Sequence, residues 1–444
     1  MKKIVIISAL LGMTAALPAQ EKLWTMNDCM QYAVENSPGV KRAAYSYDTY
    51  KAEHTYAITS FLPTLDAGTA AQYNFGRAID PETNTYVNTT TFNNNYEVQA
   101  YLPIFRGGQL VNQWRLAKSN RQMGLNDIQK AKDDLALNTM EAFVNVVYYE
   151  GTVRYATEKL EESGRTLYKV KREEELGLKG GADIALIEAQ VAADDYTLTH
   201  QQNLYTTALL KLKEYMNYPY DLDLCIDTTA QGSDYIQPEE SISDIYAYAL
   251  GSNPAALQAG FQVKASQMKY LIQKGRLFPT ISLSAGVYTS YYENLKAETS
   301  PVAFSSQFKN NRGEYISLNL NIPLFDGLSR ITEVRRARNN VRIAREQQTE
   351  VLRQLQTAIE QSVADRDGFA KEGIQMEKKL KADQMAYQVT LRKFEEGLMS
   401  PLDLQTSSNI LIESKANLLQ RRLMYILKCK QVDYYKGNPL IINN

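Results

Sequence analysis

The chain has 444 residues and a nearly balanced charge, with 49 Lys and Arg against 50 Asp and Glu. This balance lacks the basic excess of nucleic-acid binders, so no nucleic-acid partner is predicted. Hydrophobic residues make up 44% of the chain, too many for a wholly disordered protein. Only two histidines are present, and the sequence contains no phosphate loop, HExxH motif or serine-nucleophile elbow. We therefore expect no enzyme activity, no cofactor and no metal site.

The N-terminus has the pattern of a secretory signal peptide. A basic start, Met1-Lys2-Lys3, precedes an apolar run from Ile4 to Leu11 and then small residues before Gln20. The alternative is an N-terminal membrane anchor, but the apolar part holds about 12 residues against the ~20 that a membrane-spanning helix needs. The sequence predicts a signal peptide over residues 1–19 and an exported mature chain.

The cysteines do not form a disulfide framework by number or spacing. Cys29, Cys225 and Cys429 are odd in number and far apart, whereas exported disulfide-rich domains carry more cysteines. One pair, such as Cys29 with Cys429, is compatible with the sequence. Buried apolar cysteines are the other interpretation.

An internal repeat runs through the mature chain. Pro38 and Pro254 lie 216 residues apart in Asn-Ser-Pro and Ser-Asn-Pro contexts. From Pro103 and Pro323 onward the offset is 220 residues, and a slip of four inside the middle segment is what a loop tip tolerates. We interpret the pattern as a tandem duplication. The predicted domains are a first repeat at 20–220, a connector at 221–241, a second repeat at 242–435 and a tail at 436–444.

Helical periodicity dominates both repeats. Residues 24–60 predict a short helix that breaks at Pro38 and a longer helix after it, and 242–276 repeat this pattern. The segment Ser400-Pro401-Leu402-Asp403 has the N-cap, N1 and N3 residues of a helix start. The proline-free long helices are predicted at 106–176 and 326–396, and the return helices at 183–217 and 401–435.

Between these helices the hydrophobic period changes from 3.6 to 2. Ile316, Leu318 and Leu320 alternate with Ser317 and Asn319, and similar alternation predicts β-hairpins at 64–102 and 280–322, with exposed loops at 76–95 and 289–314. Strands of about 9–11 residues match a tilted membrane strand, although a hairpin on a soluble sheet also alternates. Tyrosines in these segments are candidates for an interfacial girdle, although tyrosine also packs in ordinary strands: Tyr73, Tyr96, Tyr101, Tyr288, Tyr291, Tyr292 and Tyr315.

Four strands cannot close a membrane barrel alone, because unpaired backbone groups in hydrocarbon cost several kcal/mol each. Two copies would give about eight strands and a barrel filled by its own side chains, whereas three would give about twelve and an open lumen. If the strands lie in a membrane, a trimer is the smallest oligomer with a useful pore.

The order of these motifs resembles a TolC-type outer-membrane factor of the outer membrane efflux protein family. The resemblance covers nearly the whole mature chain: the opening Trp24 to Cys29 segment, Asn36-Ser37-Pro38, the duplicated Leu-Pro and Pro-Ile-Phe/Pro-Leu-Phe hinges, and the Gly-Leu turns. Asn74 to Arg77 with Asp80-Pro81 resembles the Bacteroidota branch.

The resemblance implies a fold of α plus membrane β: a tandem-duplicated TolC-like chain whose four strands join a trimeric twelve-stranded barrel above a long periplasmic helical tunnel. It also implies an outer-membrane exit duct for a tripartite efflux pump or a type I secretion system. The implied partners are two further copies of the chain, outer-membrane lipid, a periplasmic adaptor and an inner-membrane transporter that supplies the energy.

The family resemblance also implies site residues in the Gly-Leu turns. Adaptor contact is expected at the turns, at Leu176, Gly177, Leu178, Gly397 and Leu398, and pore constriction at Asp183 and Asp403. Physical chemistry offers simpler roles for the same residues: the glycines terminate helices, and the acids favour the first turn of a helix. The chain departs from the family pattern at Met399, where a basic locking residue is common, and at Thr406, which replaces a second acid.

Two other classes of protein remain as alternatives. A soluble periplasmic coiled-coil adaptor or structural protein would account for the helices, but it would leave the alternating strands unexplained. A helical hydrolase lacks a candidate set of catalytic residues.

Overall fold

The structure is a computed structural model that describes residues 23–79, 84–228, 235, 240–297 and 300–442. The predicted signal peptide at 1–19 and the Asp80-Pro81 pair lie outside these residues. The elements in chain order are α1 (Met26–Asn36), α2 (Pro38–Thr59), β1 (Thr64–Ile79), β2 (Tyr86–Arg106), α3 (Gln109–Glu175), α4 (Gly181–Met216), α5 (Ile242–Ser252), α6 (Pro254–Gly275), β3 (Thr280–Asn294), α7 (Phe304–Asn310), β4 (Gly313–Asn321), α8 (Ser329–Glu395) and α9 (Pro401–Tyr435).

The helices begin and end where local signals place them. The long helices α3 and α8 each have 67 residues, where the sequence predicted 106–176 and 326–396. Asn253 caps α6, with its side chain accepting the Ala255 N–H and Pro254 at N1. The separation of α1 from α2 at Ser37 follows from Pro38, which cannot continue the hydrogen-bond ladder of α1.

The strands of the first hairpin are longer than their hydrophobic alternation predicted. β1 and β2 have 16 and 21 residues and occupy most of 76–95, which the polar composition had assigned to a loop. Asn and Thr fill most of this part of β2, and its only aromatic residues are Tyr86 and Phe92, so the apolar half of the strand pattern is sparse. β2 also runs through Pro103, at a register shift between Pro103 and Phe105.

A two-glycine turn separates β2 from α3. Gly107 and Gly108 both have positive φ, at 58° and 76°, which L side chains rarely adopt. A Cβ on Gly107 would also lie 2.1 Å from the carbonyl oxygen of Gly275. Close packing of this turn on the end of α6 therefore requires glycine at position 107, and α3 cannot start earlier.

The chain divides into two compact units, and each unit takes segments from both sequence repeats. The first unit comprises Met1–Pro38, Lys132–Ile242 and Ile359–Asn444, and the second comprises Gly39–Ala131 and Ser243–Ala358. The compact units thus cut across the duplication instead of following it.

The first unit has an extended hydrophobic core. Met140, Leu212 and Met216 are fully buried there, together with Cys29. Trp24 pairs with the connector, accepting the Asp227 N–H and donating its own N–H to Cys225. These contacts fasten the start of the described chain to the connector. Cys29, Cys225 and Cys429 form no disulfide with one another, and Cys29 is buried while the other two are half-buried.

The second unit contains one antiparallel sheet in the order β1-β2-β3-β4. The register pairs Leu65 with Ala100, Ala100 with Ala285, and Ala285 with Ile316. Because directly paired residues project to the same side of a sheet, this row defines one face, and the residues between such rows define the other. β1 and β4 are the edges of the sheet.

Among the described residues, no helix is both long enough and apolar enough to cross a membrane.

Candidate functional site: two interhelical turns and a two-faced sheet

The first interhelical turn (residues 176–180) ends α3 with a Schellman motif. Gly177 has a φ of 75°. Its N–H donates to the carbonyl oxygen of Glu174 at 2.8 Å, and the Leu178 N–H donates to that of Glu173 at 2.8 Å. Because no other atom lies within 4 Å of a Cβ built at position 177, the left-handed backbone alone explains the glycine.

The second interhelical turn (residues 396–400) repeats this geometry at the end of α8. Gly397 has a φ of 76°, and its N–H donates to Phe394 at 3.1 Å while Leu398 donates to Lys393 at 2.8 Å. The duplicated Gly-Leu pairs therefore encode the same turn twice.

The turns present apolar side chains to the surface. Leu176, Leu178 and Leu398 are 74%, 70% and 72% exposed. Exposed apolar side chains that adjoin one another are a mark of protein–protein contacts, whereas single ones are common on any surface.

Asp403 is held in a complete capping box at the start of α9. Its carboxylate accepts the Ser400 N–H at 3.1 Å and the Ser400 hydroxyl at 2.7 Å, and its own N–H donates to the Ser400 hydroxyl oxygen at 3.2 Å. These hydrogen bonds from Ser400 hold the pKa of the Asp403 carboxyl below its usual range. The acid is therefore an exposed anion at the helix start.

Asp183 occupies the matching position of α4 with half of this arrangement. Its carboxylate accepts the Gly180 N–H at 3.3 Å, but Gly180 has no hydroxyl to donate a second bond. The two acids that the sequence singled out thus share a position and differ in their partners.

A small apolar cluster fixes the two turns within the first unit. Val170, Ile187, Phe394 and Leu404 are buried together, and Met399 packs against them. Methionine at position 399 therefore contributes packing in place of the charge that the family pattern places there. Thr406 donates its hydroxyl to Leu402 within its own helix.

Lys169 links α3 to the end of α8, a contact that the sequence analysis missed. Its Nζ donates to the carbonyl oxygens of Phe394 and Glu395, both at 3.3 Å, and lies 4.6 Å from the centre of the Phe394 ring. The ammonium gives the Glu395 carbonyl a donor and the Phe394 carbonyl a second one, and the negative end of the helix dipole stabilises a cation at this position.

A partly buried polar layer joins the four long helices of the first unit next to the turns. We use this term for Lys159 and Glu162 of α3, Gln190 and Asp194 of α4, Tyr387 of α8, and Gln405 and Ser408 of α9. Within it, the Glu162 carboxylate accepts the Tyr387 hydroxyl at 2.8 Å and the Ser408 hydroxyl at 2.6 Å. One α3 carboxylate therefore binds both α8 and α9.

The remainder of the layer is charged and poorly solvated. Lys159 is 7% exposed and Asp194 is 6% exposed. Burial lowers the pKa of the Lys159 ammonium and raises the pKa of the Asp194 carboxyl. Gln190 donates to Asp194 at 2.6 Å and accepts from Gln405, which connects α4 to α9. An adjoining cavity of about 20 Å³ has room for one water molecule.

The sheet of the second unit places most of its apolar side chains on one side, and charged residues such as Glu293 and Glu314 join them only in its outer half. We call the side that carries Leu65, Ile316 and Leu318 the apolar face, and these three residues are 74%, 81% and 67% exposed. The opposite, polar face carries the paired residues Ser284 and Ser317. Exposed apolar side chains in this regular pattern suit a strand surface in contact with lipid.

The register also divides the tyrosines proposed for an interfacial girdle. Tyr73, Tyr96 and Tyr291 lie on the apolar face, because they share rows with Phe92, Thr289 and Asn94 of that face. The other four lie on the polar face: Tyr101, Tyr288, Tyr292 and Tyr315. Only the first three can belong to a girdle at a lipid surface.

Groups of three or more His, Cys, Asp and Glu side chains placed to hold a metal ion do not occur within the described ranges.

Comparison with known structures identifies the fold as that of an outer-membrane channel. The Campylobacter jejuni CmeC outer membrane channel matches with a TM-score of 0.81 at 15% identity, over 98% of this chain and 94% of that one. The open-state Neisseria gonorrhoeae MtrE outer membrane channel matches with a TM-score of 0.76 at 16% identity, over 94% and 89% of the two chains.

Sequence comparison identifies the family. The model of the outer membrane efflux protein family matches residues 29–218 and 245–428, so the chain belongs to that family. The outer membrane protein TolC of Salmonella enteritidis is 23% identical over 423 residues, which cover 92% of this chain and 80% of that protein. The protein is an outer-membrane exit duct for an efflux pump, with its helical tunnel in the periplasm. Membership of a family of outer-membrane channels argues against the alternative of a soluble periplasmic adaptor.

Proposed function

We propose that three copies of the chain form one duct, in which twelve strands close a barrel and the long helices enclose a tunnel. The observation that supports this proposal most is the sheet itself, which has one apolar face, one polar face and two open edges. Open edges are not tolerated in lipid, so β4 of each copy would pair with β1 of the next. The polar face would then line the lumen.

We further propose that the interhelical turns form the periplasmic entrance. Exposed Leu176, Leu178 and Leu398 would dock a periplasmic adaptor, with Gly177 and Gly397 setting the backbone that presents them. Asp183 and Asp403 would face the pore and constrict it. Capping and constriction are compatible, because a capping carboxylate at an exposed helix start keeps its negative charge.

Conduction in this duct is passive, and an inner-membrane transporter would supply the energy. The chain would serve either a tripartite efflux pump or a type I secretion system through the same entrance. The cargo would be selected by the transporter.

Channel recordings test the role of the two acids. The purified protein is inserted into a planar bilayer, and the permeability ratio of K⁺ to Cl⁻ is measured for wild type, Asp183→Asn, Asp403→Asn and the double variant. Acids at a constriction attract cations, so the ratio should fall by roughly twofold per variant. Asp195→Asn is the control, because Asp195 is another exposed acid of α4. An unchanged ratio in the double variant would remove both acids from the pore.

A further inference from the structure

β4 is too short to cover its neighbour in the sheet. It has nine residues and its last row pairs Gly313 with Tyr288, but β3 continues from Thr289 to Asn294 without a β4 partner. β1, the opposite edge, has 16 residues. If β4 pairs with β1 of the next copy, as in the proposed function on which this inference rests, both neighbours of β4 extend past its end. The barrel wall then has a gap beyond Gly313, next to residues 289–294 of β3, and we call this gap the notch.

The short helix α7 occupies the β3 side of this notch. The Gln307 side chain accepts the Tyr292 N–H at 3.0 Å and donates to the Tyr292 carbonyl at 2.9 Å, so its amide takes the place of a strand residue. Asn311 donates to the Ser290 carbonyl at 2.8 Å. The backbone N–H and C=O groups of Ser290 and Tyr292 point to the same edge of β3. The α7 segment therefore supplies hydrogen-bond partners for backbone groups that β4 does not pair.

α7 also covers the apolar face at that height. The Phe304 and Phe308 rings lie 6.2 Å and 5.4 Å from the ring of Tyr96, and Phe304 lies 5.5 Å from Tyr291. Both phenylalanines nevertheless stay almost half exposed, at 47% and 42%. One side of each ring is therefore available for a further contact.

The outer half of β1 offers the complementary surface. Tyr73 and Phe75 lie on its apolar face and are 58% and 80% exposed. If β1 of the next copy pairs with β4 from the inner end, with Thr64 opposite Asn321, Tyr73 and Phe75 extend past Gly313 to the level of the β3 residues that α7 contacts. In the closed ring, the next copy's β1 borders the same notch from the other side.

We propose that α7 fills the notch by packing against β1 of a second copy of the chain, with Phe304 and Phe308 in contact with Phe75 of that copy. Neighbouring copies then make two kinds of contact. Along β4 the strands pair, and beyond Gly313 the helix α7 packs on the next copy's β1. Gln307 and Asn311 close the hydrogen bonds on one side, and the aromatic side chains exclude water on the other.

Disulfide cross-linking between copies tests this contact. In the full-length protein with Cys29→Ala, Cys225→Ser and Cys429→Ser, the pair Phe304→Cys and Phe75→Cys is oxidised in outer membranes. Boiled samples without reductant should show covalently joined copies, because linked cysteines need Cβ atoms about 4 Å apart.

The matched control pairs Phe304→Cys with Leu65→Cys. Leu65 lies on the same strand and the same face as Phe75, but ten residues nearer the helices, or about 34 Å away. The cross-linked fraction should be at least tenfold lower in this control.

Two outcomes would overturn the proposal while leaving the proposed duct intact. One is an intact trimer in which positions 304 and 75 do not link. The other is an intact trimer in which Phe304→Cys reacts with a bilayer-soluble maleimide as readily as Leu318→Cys, which would make α7 a lipid-facing helix. If no trimer forms in the cysteine-free parent, both the contact and the proposed trimeric duct fail.

Discussion

At the scale of single residues, the duplicated acids show how one sequence position acquires two local environments. Asp403 receives two hydrogen bonds from Ser400, whereas Asp183 receives one, from the backbone of Gly180. The difference follows from one side chain three residues upstream. The bonds stabilise ionised Asp403, so their contribution to the start of α9 is present at neutral pH and is lost as the pH falls through the lowered pKa.

Ser400→Ala tests this pKa shift in a functional readout. The change removes the 2.7 Å hydroxyl bond, so the pKa of Asp403 should rise toward the usual value of about 3.9. On acidification, K⁺ selectivity in bilayer recordings should then start to fall at a higher pH than in wild type. Ser407→Ala on the same helix should leave the titration unchanged, and identical titrations of Ser400→Ala and wild type would contradict the prediction.

A change at Tyr387 tests whether the hydrogen bonds of the polar layer stabilise the helices. Burial and the adjacent Glu162 carboxylate raise the pKa of Tyr387, so its hydroxyl remains a donor at any periplasmic pH. Tyr387→Phe removes that donor and should lower the free energy of unfolding by about 1.5–3 kcal/mol, the range for a hydrogen bond to a charged group. Thermal melts followed by circular dichroism measure the loss.

The control for this change is Tyr168→Phe. Tyr168 is 70% exposed, and its hydroxyl has no comparable buried acceptor among the described contacts. Equal melting temperatures for the Tyr387→Phe variant and wild type would show that the bond to Glu162 does not stabilise the helices.

At the scale of elements, backbone geometry decides where the long helices stop. Gly177 and Gly397 adopt left-handed φ with open space around each Cβ position. Alanine at either site should cost about 1–2 kcal/mol, because an L residue in this region brings Cβ close to a carbonyl oxygen. Urea unfolding of the detergent-solubilised protein measures the cost.

Gly164→Ala and Gly368→Ala are the matched controls. Both glycines lie inside long helices, and their Cβ positions are also open. Alanine there should stabilise the protein by about 0.5–1 kcal/mol. If all four substitutions changed stability in the same direction, left-handed geometry would not be the reason for the glycines at the turns.

Element types were predictable from the sequence where a single period dominates. The alternation of Ile316, Leu318 and Leu320 with polar residues specified β4, and the Ser400-Pro401 start specified α9. α7 was not predictable, because Phe304 and Phe308 are four residues apart in a polar segment too short to show a helical period. The side chain of Gln307 determines its place, and nothing in the composition signals that role.

At the scale of the whole molecule, the duplication accounts for the repeated turns, hairpins and helices but not for what joins them. The 220-residue offset pairs Glu162 with Ala382 and Lys169 with Val389, so neither link has a copy in the other repeat. The repeat places Gly177 opposite Gly397 and Asp183 opposite Asp403, so each turn glycine and each helix-start acid has a copy. It could not predict the asymmetric contacts, which arise only after the segments pack.

The compact units also do not follow the boundaries of the sequence repeats. Each one is built from parts of both repeats, so the boundary at 221–241, which the sequence predicted from the offset, marks a point in the duplication and not a border between cores.

The central claim is that several copies of this chain close one duct in the outer membrane, and sizing of the membrane-extracted protein tests it most directly. Outer membranes are separated from the soluble fraction and extracted with detergent, and the protein is sized without and with heating. We expect an outer-membrane oligomer of three mature chains, each lighter than the 50.2 kDa full-length chain by its signal peptide, and we expect heating to convert it to single chains. A monomer in the soluble periplasmic fraction would contradict it.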